Sequence, residues 1–247
     1  MSLQSVKVCL SPALLPLYGL DDTTAVIIDI FRASSSMCFG LANGAQAIIP
    51  VAEIADCLSY KDDGHLLAAE RDGSVVNGFD FGNSPLSYTP ENVAGKIIVL
   101  TTTNGTRAIK QCKHAKNVVV GSFLNISALV QWLEKQSGHV LLVCAGWKNH
   151  MCLEDTVFAG AVVDRLDSGI PELDDAAHAA RELYLNGRNN LSGYLAKAAH
   201  SKRMTRLHIE DDITFCLQED LVTTIPVMKK DKLVSLSKYI PETQHSN

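Results

Sequence analysis

A chain of 247 residues, 47% hydrophobic and 20% charged, lies in the ordinary globular range and can bury a sizeable core. Its 27 acidic residues outnumber 22 basic ones, no basic cluster follows one expected face, and no apolar run reaches membrane-spanning length, so nucleic-acid and membrane partners are not expected. The 7 cysteines are odd in number, scattered, mostly set in apolar runs and without a Cys-x-x-Cys pair, which argues against a disulfide framework or zinc ribbon and for reduced thiols in a cytoplasmic protein.

Val6 to Leu10 reads as a short strand ended by Ser11-Pro12, with Leu14 to Leu20 a loop or short helix. Thr24 to Ile30 is a buried strand that delivers Asp29, Phe31 and Arg32 at its carboxyl end, before Ala33-Ser34-Ser35-Ser36 opens a helix. Gln46 to Val51 and Ala52 to Tyr60 continue a βαβ rhythm. Leu66 to Glu70 ends on Glu70-Arg71, and Asp72-Gly73 makes a turn. Gly78 to Pro85 is too rich in turn residues for regular structure; Asp80 holds the loop's own turn there and Ser84 is an anion contact.

Lys96 to Ile109, KIIVLTTTNGTRAI, runs from a strand covered on both faces, and hence expected at the sheet centre, into hydroxyls, a permissive glycine, a capping Asn and a guanidinium. Such a strand end suits a phosphate-like anion. Asn117 to Val120 is a strand followed by Ser122 and by Asn125, an N-cap for the helix 126–135. His139 to Ala145 is the last strong strand; beyond it lie Trp147, Lys148 and His150, and Glu154-Asp155 lead the helix 156–166. Pro171 to His200 has helical periodicity without evident chemistry, and Lys202, Arg203 and Arg206 form a charge run, usually solvated, that can close over an anion. Glu210-Asp211-Asp212 starts another helix, Thr223 to Met228 reads as an edge strand because of its proline, and Pro241 to Asn247 as a frayed tail.

The expected fold class is α/β: a layered α/β/α arrangement with a largely parallel or mixed central sheet, whose strand carboxyl ends and loops form the site. It is expected as one domain over 1–247, with two closely packed lobes meeting near 125–138 as the possible subdivision. Strand ends bring carboxylates Asp29, Glu70, Glu154 and Asp155 together with cations Arg32, Arg71, Arg107 and Lys148 and hydroxyls at Thr101, Thr102, Thr103, Thr106 and Ser122. Hard oxygen donors select Mg²⁺, and phosphoryl transfer needs chiefly positioning and charge neutralisation. The phosphate loop Gly-x4-Gly-Lys-Ser/Thr, Gly-x-Gly-x-x-Gly, Asp-x-Asp after the first strand and Cys-x5-Arg at Cys144 are all absent.

Taken in order, Asp29-Ile30-Phe31-Arg32-Ala33-Ser34, Glu70-Arg71-Asp72-Gly73, Gly78 to Pro85, Thr101 to Arg107, Ser122 to Asn125, Val143 to Gly146, Leu153-Glu154-Asp155 and Asp211 to Cys216 resemble the 2-phosphosulfolactate phosphatase family, the ComB-like Mg²⁺-dependent acid phosphatases. The family's usual Glu-Arg-Gly-Gly is here Glu-Arg-Asp-Gly, which puts the turn geometry at Asp72 in question, and Phe31 replaces an aliphatic residue. The resemblance implies hydrolysis of 2-phospho-3-sulfolactate to sulfolactate and phosphate, a step of coenzyme M biosynthesis, with Mg²⁺ as cofactor. On that reading Asp29, Arg32, Glu70, Arg107 and Glu154 form the catalytic set, and Asp29, Glu70 and Asp155 hold Mg²⁺ directly or through water. Arg32, Arg107 and the loop Thr102, Thr103, Asn104, Gly105 and Thr106 hold phosphate, Arg71 and Lys148 take sulfonate or carboxylate, and Ser84 and Ser122 complete the substrate contacts. Metal-activated water is the expected nucleophile, with a carboxylate second. Another phosphorylated hydroxy acid as substrate, or a non-catalytic binder of phosphorylated metabolites, are the alternatives, and a homodimer is possible.

Overall fold

Runs such as Ala25-Val26-Ile27-Ile28 and Ile97-Ile98-Val99-Leu100 have no polar face, so as strands they need cover on both sides. The computed structural model describes residues 2–166 and 172–236. In chain order its elements are β1 (Leu3–Cys9), β2 (Thr23–Ile28), α1 (Ala33–Ala42), β3 (Ala47–Val51), α2 (Ile54–Leu58), β4 (Leu66–Arg71), β5 (Ser74–Val75), α3 (Pro90–Val93), β6 (Ile97–Thr101) and α4 (Gly105–Gln111). There follow β7 (Asn117–Gly121), α5 (Ile126–Leu133), β8 (Gly138–Cys144), α6 (Leu153–Leu166), α7 (Asp175–Gly187), α8 (Leu191–Leu195), α9 (Ala199–Arg206), α10 (Glu210–Cys216), β9 (Pro226–Lys229) and β10 (Lys232–Ser235). Pro12–Leu17 forms a 3-10 helix.

The strands make one ten-stranded mixed sheet in the order β1-β8-β2-β7-β9-β10-β3-β6-β4-β5. β1, β8, β2 and β7 run parallel, as do β3, β6 and β4. The antiparallel hairpin β9–β10 joins the two sets through Val119↔Val227 and Leu233↔Ile48. Side chains alternate between layers as the pleat requires: Val26 and Ile28 pack with α5, α6 and α7, and Ala25 and Ile27 with α1 and α4. These are the layers of an α/β fold.

α1 has no polar face, and every residue from Ala33 to Leu41 except Phe39 is buried. Such a helix belongs inside, and it packs against β3, β7, β9 and β10. Its serine hydroxyls spend their donors on backbone carbonyls, Ser35 on Ile30 at 3.2 Å and Ser36 on Asn83 at 2.5 Å. In a flat sheet the ends of β2 and β4, six spacings of about 4.8 Å apart, would be separated by roughly 29 Å. Asp29 and Glu70, which follow from those ends, line one cavity, so the sheet curves around α1.

Several sequence expectations change. Thr223 to Met228 does not form an edge: β9 lies inside the sheet, and its proline is tolerated because Pro226 is the strand's first residue. Its partner β10 carries no strong pattern of its own. β6 is interior but lies toward one end of the sheet, not at its centre. The expected helical stretch from Pro171 divides into α7, α8 and α9; Leu173 instead bridges Val6 in parallel, while Asp174 caps α7 and Asn190 caps α8. Asn125 does not cap α5 with its side chain, which accepts from the Ser122 N–H and donates to Thr224 O. Pro171 and the tail expected to fray, 241–247, lie outside the described residues. No helix among those described is long and apolar enough to cross a membrane.

Candidate functional site

Asp29 leaves β2 buried and is fixed by α1, with Ser34 Oγ accepting from the Asp29 N–H at 2.7 Å and the Ser34 N–H donating to Asp29 O at 2.9 Å. The start of α4 presses on the same carboxylate: a Cβ on Gly105 would lie 2.7 Å from Asp29 Oδ2 and 3.0 Å from Ala33 Cβ. Only glycine permits that approach. At the end of β4, Glu70 is buried, with Oε1 accepting from the Gly73 N–H at 2.5 Å and Oε2 lying 3.4 Å from the N–H and Oγ1 of Thr103.

Two tight turns close over these carboxylates. Arg71 pairs with Ser74 across Asp72-Gly73, whose φ values of 52° and 91° are both positive, as in a type I′ hairpin turn. Asp72 thus takes the left-handed conformation that a family glycine would adopt more freely. Trp147 bridges His150 across Lys148-Asn149, with φ of 49° and 65°. Lys148 Nζ then reaches Asp72 Oδ1 at 3.6 Å, joining the turn tips.

α6 and α9 supply the remaining wall. Glu154 Oε1 lies 2.5 Å from His200 Nδ1, and Glu154 Oε2 is buried without a hydrogen-bond partner among the described residues. One turn on from His200, the Arg203 guanidinium stacks on the Trp147 ring, with Cζ 3.4 Å from its centroid. Arg203 makes no ion pair among the described residues, and its buried Nε has no partner. Arg32 is committed: Nη1 pairs with buried Asp212, Nη2 donates to Gly73 O at 2.8 Å, and Ser84 Oγ donates to the other Asp212 oxygen at 2.6 Å.

Asp29, Arg32, Glu70, Asn83, Asn104, Trp147, His200 and Arg203 therefore line one cavity of about 20 Å³, room for a single water-sized guest. It shares Arg32, Gly73, Asn83 and Ile209 with an adjoining groove of about 430 Å³, wide enough for a small organic acid. Burial pushes the Asp29 carboxyl up to about 6; His200 draws it down, and Glu70 and Glu154 push it further up. Asp155 is also raised well above the carboxylate range, by burial and then by Glu154 and Asp29. Asp29, repelled by Glu70 and Glu154, and the Arg203 guanidinium, which makes no ion pair among the described residues, form a pocket that favours a cation and, beside it, an anion.

Of the residues expected from sequence, Asp29, Arg32, Glu70 and Asn104 line this cavity, Gly105 and Thr103 back it, and Glu154 holds its histidine. Lys148 stands at the rim, and Ser84 faces the groove with its hydroxyl engaged by Asp212. The other residues are placed elsewhere. Asp155 accepts from the N–H groups of Ile30 and Gly146, 2.9 Å each, and so ties the ends of β2 and β8. Arg71 donates to Glu70 O, Ala52 O and Thr101 Oγ1. Thr102 and Thr106 exchange hydrogen bonds that close the first turn of α4, and Ser122 is fully buried at the end of β7. Arg107 is exposed and paired with Glu53 at 3.1 Å.

Trp147 and His200 were not singled out from sequence as site residues, and Arg203 entered only within a charge run able to close over an anion. Their signal was faint: a His and an Arg three apart, on one face of a helix otherwise rich in charge. Asp212 stood within a quoted motif, but its link to Arg32 spans 180 positions.

Comparison with known proteins agrees with the motif pattern. Residues 9–231 match the family described as 2-phosphosulpholactate phosphatase. A probable 2-phosphosulfolactate phosphatase of Thermotoga maritima is 42% identical over 213 residues, covering 86% of this chain and 92% of that protein. Proteins of the same name from Caldanaerobacter subterraneus and Gloeobacter violaceus are each 38% identical, covering 85% and 90% of this chain and 89% and 94% of their own lengths.

Proposed function

Because the chain belongs to the 2-phosphosulfolactate phosphatase family, we propose that it hydrolyses 2-phospho-3-sulfolactate to 3-sulfolactate and phosphate with Mg²⁺, as a step of sulfolactate or coenzyme M biosynthesis. The observation that carries this reading is a single cavity lined by Asp29, Glu70 and the ring-stacked Arg203, which makes no ion pair among the described residues.

The donor set fits the cation. Two buried carboxylates line the cavity, and Asn83, which also lines it, has a buried Oδ1 with no hydrogen-bond partner among the described residues. Asp29, Glu70 and Asn83 Oδ1 would hold Mg²⁺, three hard oxygens that leave the ion's other coordination positions to water and a phosphate oxygen reaching in from the adjoining groove. The ion would supply charge neutralisation at the phosphoryl oxygens.

The chain's own residues do the rest. Arg203, held flat by Trp147, binds an anionic group of the substrate, and its planar fork suits phosphate or sulfonate. Glu154 holds His200 through Nδ1, leaving Nε2 to give a proton to the ester oxygen as a water forms the new bond to phosphorus and the ester P–O bond breaks. Asp212, Ser84 and Gly73 O hold Arg32 at the cavity wall, where its charge offsets the acids. Asp155, engaged by two backbone amides, positions the Asp29 strand end without touching the ligand.

The test is phosphate release from 2-phospho-3-sulfolactate and from phospholactate, with Mg²⁺ or with chelator. The expected result is turnover only with Mg²⁺, a higher kcat/KM for the sulfonated ester, and loss of turnover in Asp29→Asn and Glu70→Gln. Equal turnover under chelation, or by both variants, would reject the assignment.

A further inference from the structure

Beside the oxygen-lined cavity lies a cluster of different chemistry. Cys152 Sγ, a Glu154 oxygen and a His200 ring nitrogen all lie within 4.8 Å of one another. Cys152 and Glu154 flank the start of α6, and His200 is the second residue of α9, so the three donors come from both sides of the helix pair that walls the site. They are 7%, 1% and, for the His200 side chain, 11% exposed. Glu154 Oε2 has no hydrogen-bond partner among the described residues, so the cluster's own hydrogen bonds leave an acceptor unsatisfied in a buried place.

Sulfur, imidazole nitrogen and carboxylate oxygen together are a poor set for Mg²⁺ and a good one for zinc-like ions. At bond lengths of about 2.0–2.3 Å, tetrahedral ligands lie roughly 3.3–3.8 Å apart, so these donors need to move by only about 1 Å. We propose that Cys152, Glu154 and His200 form a second metal site, selective for Zn²⁺-type ions over Mg²⁺, and that filling it stops turnover. Binding the ion displaces the thiol proton to solvent, since the thiolate is the ligand. Inhibition has two physical sources. The ion removes the Glu154–His200 pair from proton transfer, and it pins α9 to α6 over a cavity too small for the whole substrate. Only this inhibitory half rests on the proposed function; the binding half stands on the donor geometry.

The experiment uses the full chain freed of metal by chelator and dialysis. Co²⁺ is titrated in with absorption as readout, then displaced by Zn²⁺, and phosphate release is measured at saturating Mg²⁺ with increasing Zn²⁺. The expected result is a thiolate-to-cobalt charge-transfer band saturating at one ion per chain, and Zn²⁺ inhibition that Mg²⁺ does not relieve. Cys152→Ser should abolish the band and weaken Zn²⁺ binding at least about tenfold, since loss of even an outer-shell partner costs about 10–100-fold. Its Mg²⁺-dependent turnover and melting temperature should match the parent's, and Cys152→Ala should repeat the result if serine disturbs folding. Absence of the band, or Cys152→Ser and Cys152→Ala binding Zn²⁺ as tightly as the parent, overturns the site. Zn²⁺ binding at Cys152 without inhibition overturns the regulatory half. A chain with no phosphatase activity would still report the site by absorption, which separates this inference from the functional one.

Discussion

Asp29→Asn should make the metal-free protein more stable while destroying its activity. The Asp29 carboxyl sits at about 6 in the folded chain against an ordinary 3.8, chiefly because it is buried. A raised value means that the folded state holds the proton more tightly than the unfolded one. The associated stability is fully present below pH 3.8 and is lost as pH rises through about 6. At ~1.36 kcal/mol per pH unit the difference amounts to about 3 kcal/mol at pH 7.5, and to about 1 kcal/mol at pH 4.5. An asparagine, neutral and nearly isosteric, does not carry that cost. Urea unfolding in chelator should therefore show the variant ahead of the parent by about 3 kcal/mol at pH 7.5, with the gap closing toward pH 4.5. If Asp29 holds the ion as proposed, Mg²⁺ should raise the parent's midpoint and leave the variant's unchanged. A variant no more stable than the parent at pH 7.5, or a gap independent of pH, would refute the view of Asp29 as a buried charge awaiting a cation.

Asp212→Ala leaves Arg32 buried without its carboxylate and should cost about 3–5 kcal/mol in denaturant unfolding, whereas an exposed pair of the same type would cost under about 1 kcal/mol. Gly105→Ala places a methyl 2.7 Å from Asp29 Oδ2, so kcat should fall sharply while stability drops by about 1–3 kcal/mol; a fully active variant would show that the contact is not tight. Arg203→Lys keeps the charge but loses the planar stack on Trp147, and kcat/KM should fall by about 10–100-fold, the range of a charged hydrogen bond of about 1.5–3 kcal/mol. Arg107→Ala removes an exposed arginine paired with Glu53; stability should change by less than about 0.5 kcal/mol and kcat/KM by less than about threefold, and a larger kinetic loss would return Arg107 to the site.

That Asp29 and Glu70 would line one cavity was legible because a carboxylate directly after a buried apolar run lies at a strand's carboxyl end, where open α/β sheets bind ligands. The loop from Thr101 to Arg107 shows the limit of that reasoning. Its composition marks an anion site, yet helical geometry turns Arg107 outward to Glu53, folds Thr102 and Thr106 onto each other, and leaves Gly105 as the close neighbour of Asp29. Arg71 fails in the same way, because a guanidinium beside a carboxylate in sequence projects to the opposite side of a strand.

The order of residues alone determined the layers and the strand ends, because the period of the apolar pattern states which faces must be covered. It also determined the family, through motifs whose identity does not depend on where they meet. Tertiary structure decided which strand ends meet. The sheet's bend around α1 carries Asp29 to Glu70, and α9, rich in charge and silent by periodicity, brings His200 and Arg203 over them. Curvature and helix docking are set by packing between distant segments, His200 on Glu154 across 46 positions and Arg32 on Asp212 across 180, and no local pattern encodes such a meeting.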